Sequence, residues 1–408
     1  MDLREWQEEK MRAFFYRILT KSPFYREFFE DGKLDLMNIP IIEKQEFMDQ
    51  FNRINTVGID RETAMNLAIE AEKSRDFKSE INGITVGLST GTSGKRGIFL
   101  VSEDERAQWV AIVLNRILKP KFFKKQKIAF FLRANSNLYT SVQSKLFEFQ
   151  YFDIFKPIEE LIKDVNDYQP DILAAQPSIL IEIAKAQNQG RIQLKINQII
   201  SFAEVLHEHD AIAIKNSLKA PLQEIYQCTE GLLGVSCQEG TMHLNEDVIH
   251  VEQEWIDDDK FHPIITDFTR ASQPVVRYRM NDILQIKSTP CACGSQFMAI
   301  EKIIGRDDDV LIFEDNPIFP DVISRKIALA TNEFFNYEII QTGESQVKVH
   351  IDCNETDFNS TSIKITQILR DILSENGIKN EITIDSIRKS IIPNGNKLRK
   401  IRRQYDEN

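Results

Sequence analysis

At 408 residues the chain exceeds one ordinary core, so two domains, or one large and one small, are expected. Its 42% hydrophobic content is normal for a globular protein, and its formal net charge of −11 argues against a general nucleic-acid binder, whose affinity rests on neutralising phosphates. A nucleotide, if bound, is a small ligand in a local basic site.

The opening stretch MDLREWQEEKMRAFFYRILTK is too charged for a secretory leader, and no uninterrupted apolar run reaches the length of a membrane span. A cytoplasmic protein without membrane contact is therefore expected, and its five cysteines, an odd number, argue against a disulfide framework. Leu3, Trp6, Phe14, Phe15 and Ile18 fall near helical spacing and predict an opening helix.

Residues 87–102 read GLSTGTSGKRGIFLVS. Glycine permits dihedrals that aim several backbone amides at one anion, and Ser89, Thr90, Thr92 and Ser93, set around Gly91 and Gly94, add hydroxyl donors. Lys95 or Arg96 supplies charge, so triphosphate oxygens fit; the competing reading is a solvated hairpin. The stretch is not a Walker A loop, because Arg96 follows Lys95 where Ser or Thr is needed. Residues 97–101 read as a strand rather than a helix, and the helix starts later, at the capping pattern Ser102-x-x-Glu105. A P-loop ATPase is disfavoured on both counts.

Further on, residues 127–132, 171–175 and 198–202 read as strands and 178–186 as a helix, an alternation that argues an α/β domain with parallel pairing. Residues 249–286 read as strands and turns. After Gly305 a smaller α+β unit is predicted: helices at 321–335 and 360–373, paired strands at 337–342 and 346–352, and a strand at 381–387. The expected domains are 1–306 and 307–408.

Cys237-x₅-His243 and Cys291-x-Cys293-Gly bring three thiolates and one imidazole into two tight pairs. That set suits a closed, structural Zn²⁺ site and leaves no open coordination position; the alternative is scattered free thiols and a surface histidine. Near the end, IIPNGNKLRKIRR gathers Lys397, Arg399, Lys400, Arg402 and Arg403 on an otherwise acidic chain, a pattern also compatible with a solvated tail.

The glycine-rich turn resembles the phosphate-binding loop of the adenylate-forming (acyl-activating) superfamily, [ST]-[ST]-G-[ST]-[ST]-G followed by lysine, and in particular its phenylacetate–CoA ligase and coenzyme F390 synthetase branch. SPFYREFF and IPIIEKQEF resemble N-terminal stretches of that branch, and AAQPSIL its strand-to-helix junction. FAEVL, with Ala203 and Glu204, resembles G-A-E-P, and YQCTEG resembles Y-G-x-[ST]-E. TDFTRASQPVVRYRMNDIL resembles T-D-L followed by P-L-I-R-Y-R-T-G-D-L, IIGRDDDVLIF the hinge G-R-x-D-D-x-L, and the basic ending P-x-x-x-G-K-x-x-R.

The resemblance implies an α/β fold with a large N-terminal adenylate-forming domain of mixed sheets and a small α+β C-terminal lobe. It implies that a carboxylic acid, aryl or small, reacts with ATP and Mg²⁺ to give acyl-AMP and pyrophosphate. The lobe then rotates about Asp308, and the acyl group passes to a thiol of CoA or of the phosphopantetheine on an acyl carrier protein. On that basis residues 89–95 cradle the pyrophosphate, Glu230 attends Mg²⁺, Thr229 contacts AMP and Tyr226 lies beside adenine. Asp282 accepts from the ribose hydroxyls, Arg306 sits near ribose and hinge, and Lys397 reaches the α-phosphate and the acyl carboxylate. Arg133, Asn135, Asn137 and Tyr139 are candidates near the acid. A homodimer stays open, as does a non-catalytic nucleotide-binding protein on the same fold.

Overall fold

The computed structural model describes residues 2–75, 79–89, 96–118, 124–133, 143–331, 333–392 and 398–405. Helix α1 (Leu3–Arg17) opens on a capping box in which Asp2 and Glu5 satisfy each other's backbone amides, and it buries Phe14 and Phe15. Short helices α2 (Lys44–Asp49) and α3 (Phe51–Ile54) lead to α4 (Arg61–Ser74), whose Asp60 cap accepts from the Thr63 amide at 3.0 Å.

Strands β1 (Glu80–Ile81), β2 (Ile84–Leu88) and β3 (Ile98–Val101) form an antiparallel sheet, with Leu88 opposite Ile98. The glycine-rich stretch therefore joins two paired strands. Helix α5 (Glu103–Arg116) starts at the Ser102/Glu105 capping box, as the pattern predicts. The Glu105 carboxylate also accepts from the Ala271 amide at 2.8 Å and the Ser272 amide at 3.1 Å, which ties α5 to the turn ahead of a distant strand.

The central sheet has twelve strands. Its parallel half comprises β4 (Gln126–Leu132), β5 (Phe147–Asp153), β6 (Ile172–Ala175), β7 (Gln198–Phe202) and β8 (Leu222–Gln227) in the order β5-β4-β6-β7-β8. Helices α6 (Ile158–Tyr168), α7 (Pro177–Asn188) and α8 (Glu208–Leu218) make the crossovers. Every residue of β6 is buried, which is why it reads as a short apolar run without alternation. The antiparallel half adds β9 (Leu232–Ser236), β10 (Met242–Leu244), β11 (Ile249–Trp255), β12 (Lys260–Asp267), β13 (Val275–Arg279), β14 (Asp282–Ile286) and β15 (Ala299–Arg306).

Beyond a turn at Asp307–Asp309, a hairpin of β16 (Leu311–Phe313) and β17 (Asn316–Ile318) precedes α9 (Pro320–Ala330), β18 (Asn336–Gly343), β19 (Gln346–Asp352), α10 (Phe358–Glu375), β20 (Thr383–Arg388) and β21 (Ile401–Arg403). These strands form a separate four-stranded sheet in the order β20-β19-β18-β21, over its own core of Ile323, Tyr337, Val349, Ile365 and Ile401. The helix expected at 321–335 stops at Ala330, because Thr331 takes an extended conformation (φ −158°) and turns the chain toward β18. Strand β5 escaped the sequence reading. No helix among the described residues is long and apolar enough to cross a membrane.

Candidate active site

The parallel strands end at one edge of the sheet, where open α/β folds place their ligands. Past β7, Ala203 adopts a left-handed backbone (φ +69°), a rare state for a residue with a Cβ. The turn lets the Glu204 carboxylate accept from both the amide and the hydroxyl of Ser178, each at 3.1 Å, at the start of α7. Its Oε1 also accepts from the Leu398 amide at 2.9 Å, so Glu204 joins the large lobe to the C-terminal segment.

Tyr226, near the end of β8, is buried, and its hydroxyl donates to Asp282 Oδ2 at 2.8 Å. The register of β14 against β15 sets Asp282 opposite Arg306, whose Nε donates to Asp282 Oδ1 at 3.3 Å. Burial, reinforced by Asp282, pushes the Tyr226 phenol far above its usual range, so it stays a donor. Past β8, Glu230 accepts from Thr229 Oγ1 at 2.8 Å and from Tyr278 Oη at 2.9 Å. Burial works against its charge, yet hydrogen bonds from Thr229, Cys228 and Tyr278 hold the carboxyl below its usual value. Gly231 follows because a Cβ there would lie 2.5 Å from Asp267 Oδ2. The structure thus gathers Ala203, Glu204, Tyr226, Thr229, Glu230, Asp282 and Arg306 at one edge.

Ser89 marks the rim of the glycine-rich stretch; its Oγ accepts from the Gly97 amide at 2.7 Å and lies 3.5 Å from Lys44 Nζ. Thr90, Gly91, Thr92, Ser93, Gly94 and Lys95 lie outside the described residues, as do Asn135, Asn137, Tyr139 and Lys397. Arg96 is engaged by Glu72, which also accepts from Arg133 Nε at 2.8 Å. Lys44 was not singled out from sequence, although it stands inside the matching stretch IPIIEKQEF. Burial pulls its ammonium down, and nearby Glu230 opposes that. Glu224 was also missed, since one carboxylate in a strand carries no motif; burial pushes it up to about 7.

Two cavities meet here. The larger, about 670 Å³, is bounded by Lys44, Glu72, Gly231, the inner face of α5 and the parallel strands. The smaller, about 140 Å³, is bounded by Ser178, Glu204, Glu224, Tyr226, Asp282 and residues 398–401. The C-terminal lobe closes the smaller one. Lys400 Nζ donates to Asp210 Oδ2 at 2.8 Å, and Arg399 bridges Asp308 at 2.8 Å and Asp309 at 2.6 Å.

Apart from both cavities, Cys237, His243, Cys291 and Cys293 converge, with all four ligand atoms within 4.8 Å of one another. Cys237 Sγ lies 3.7 Å from Cys291 Sγ, the edge of a tetrahedron built on roughly 2.3 Å zinc–sulfur bonds. His243 Nδ1 faces the Phe297 carbonyl at 3.1 Å, which turns Nε2 toward Cys293 Sγ at 3.3 Å.

No family model matches the chain. Protein CapK of Staphylococcus aureus is 22% identical over 399 residues, covering 90% of this chain and 83% of its own. A phenylacetate-coenzyme A ligase of Thermus thermophilus is 20% identical over 423 residues, covering 95% and 88%. The solved 2-hydroxyisobutyryl-CoA ligase, in its postadenylation state with an acyl-AMP, superposes with a TM-score of 0.67 at 15% identity, over 98% of this chain and 88% of its own. The fold is that of the adenylate-forming ligases. Over most of its length the chain is similar in sequence to proteins of the phenylacetate–CoA ligase-like branch of that superfamily.

Proposed function

We propose that the chain is an acid–thiol ligase working in two steps. In the first, a carboxylate oxygen attacks the α-phosphorus of ATP, forming an acyl–AMP mixed anhydride and expelling pyrophosphate. In the second, a thiolate attacks the acyl carbon, forming a thioester and releasing AMP. The observation that supports this best is the pairing of two interlocked polar sets, Tyr226–Asp282–Arg306 and Thr229–Glu230–Tyr278, where a small cavity meets a large one with an apolar inner wall.

The smaller cavity suits adenosine. Asp282 offers acceptor oxygens to ribose hydroxyls, and Tyr226 supplies a ring beside the base. Residues 89–95 and Lys44 bring donors and charge to the departing pyrophosphate, and Lys397 steadies the α-phosphate and the acyl carboxylate. Glu230, held ionised, would hold Mg²⁺, which neutralises phosphate charge when bound. We place the domains at 1–306 and 307–408. Contacts such as Lys400–Asp210 and Leu398–Glu204 would break when the small lobe rotates about Asp308 to admit CoA or a carrier-protein pantetheine.

An ATP–pyrophosphate exchange assay over straight-chain, branched and aryl acids tests the first step. Acid-dependent exchange is expected; no exchange with any acid overturns the reading. Cys237, His243, Cys291 and Cys293 would hold a structural Zn²⁺, joining the turn after β9 to the loop before β15. Reduced thiols there accord with a cytoplasmic protein. Elemental analysis should return about one zinc per chain, and Cys291→Ser should lose it with a lowered Tm. Zinc-free protein of unchanged Tm would remove the site.

A further inference from the structure

The larger cavity carries information about the acid itself. It follows β4 from Leu132 at the strand's end down to Ile128, four residues deeper. At about 3.3 Å per residue that is a depth of roughly 13 Å. Its inner wall is Val113, Ile117, Ile128, Phe130, Ala174 and Ile200. The charged lining residues sit on and just before α2, on α4, in the segments before β3 and after β4, and at the turns and strand ends that carry Glu230, Arg270, Arg279 and Arg306; none is one of those wall positions.

Two facts bear on what fits. A benzene-sized ligand fills a cavity on the order of 150 Å³. The volume here, from the phosphate side to the inner wall, is about 670 Å³, several times that. Moreover, the inner wall consists of hydrocarbon side chains, so a hydroxyl or amino group at the far end of a substrate would enter without a partner and be rejected.

From this we infer that the acid is a medium- to long-chain apolar carboxylic acid, its tail lying between α5 and the parallel sheet and its carboxylate at the strand ends beside Thr229. The inference rests on the adenylation reading and goes beyond the aryl or small acid that the resemblance implies. Each methylene buried along the wall should raise kcat/KM about fourfold until the floor is reached.

The test is acid-dependent ATP–pyrophosphate exchange by the full chain with benzoate, phenylacetate, hexanoate, decanoate, dodecanoate and 10-hydroxydecanoate. Decanoate or dodecanoate should exceed phenylacetate at least tenfold in kcat/KM, and 10-hydroxydecanoate should fall at least tenfold below decanoate. Ala174→Phe, which fills the cavity, should move the optimum to shorter chains. Ile128→Ala, which deepens it, should move it to longer ones; opposite shifts cannot come from a general folding defect. If benzoate or phenylacetate is best, or the hydroxylated acid matches decanoate, adenylation stands and the chain-length inference falls. If no acid supports exchange, both fall.

Discussion

The two cavities share Ala203, Ile225, Gln227, Cys228 and Arg306 in their walls but are built on opposite principles. In the smaller, polar groups are held by one another: Asp282 takes a hydrogen bond from Tyr226 and another from Arg306, and Glu204 takes two from Ser178. Each partner fixes the next, so a change of one group strands another. Along the inner wall of the larger, the lining is hydrocarbon, and only volume and depth discriminate. On the proposed reading, chemistry common to every acid and the choice of one acid are thus written on different walls. A substitution on one wall should move one Michaelis constant and leave the other.

The largest effect falls where the two functions meet. Lys397→Ala removes a cation proposed to stabilise charge as the α-phosphorus is attacked, so adenylation should slow by about 10²–10³-fold, the usual cost of one such donor. Thioester formation begun from synthetic acyl-AMP should keep its rate. If both half-reactions fall together, the lysine is a structural support. Asp282→Asn ranks next. The amide would present one donor edge to Tyr226 and Arg306, leaving a buried donor unpaired at a cost of about 1–3 kcal/mol. The KM for ATP should rise roughly tenfold or more while the KM for the acid stays put. An equal rise in both would erase the division between the walls.

The legibility of the sequence divides along the same line. Glu230, Asp282 and Arg306, which the structure brings together, stood in short ordered stretches, as groups proposed to serve one shared chemistry would. The Cys₃His cluster was legible for the same reason: two close pairs of soft ligands suffice, and the fold brings the turn after β9 and the loop before β15 together. The proposed acyl wall was not legible. Val113 comes from a helix, and Phe130, Ala174 and Ile200 from three strands, and each also reads as ordinary core. Arg96, a candidate phosphate contact, is taken by Glu72, a pairing between α4 and the rim of β3 that no local pattern announces. The fold was read well where periodicity was strong, as in α1 and β7, and poorly at β5, where FEFQYFD mixes aromatic and polar residues.

The smallest effect probes how dry the smaller cavity is. Burial pushes Glu224 up to about 7 from the 4.5 of a free glutamate. Between those values the folded chain holds a proton that the unfolded chain has released. Stability contributed by the neutral carboxyl is therefore complete below about pH 4.5 and is lost as pH rises toward 7. Glu224→Gln stays neutral throughout. Its Tm should equal that of the parent near pH 5 and exceed it at pH 8, by a margin equivalent to about 1–2 kcal/mol, since the half-buried group is partly screened. A gap that stays constant across this range would mean that Glu224 ionises as freely as a surface residue. The smaller cavity would then be as wet as the solvent outside it, and its polar set would owe its strength to geometry alone.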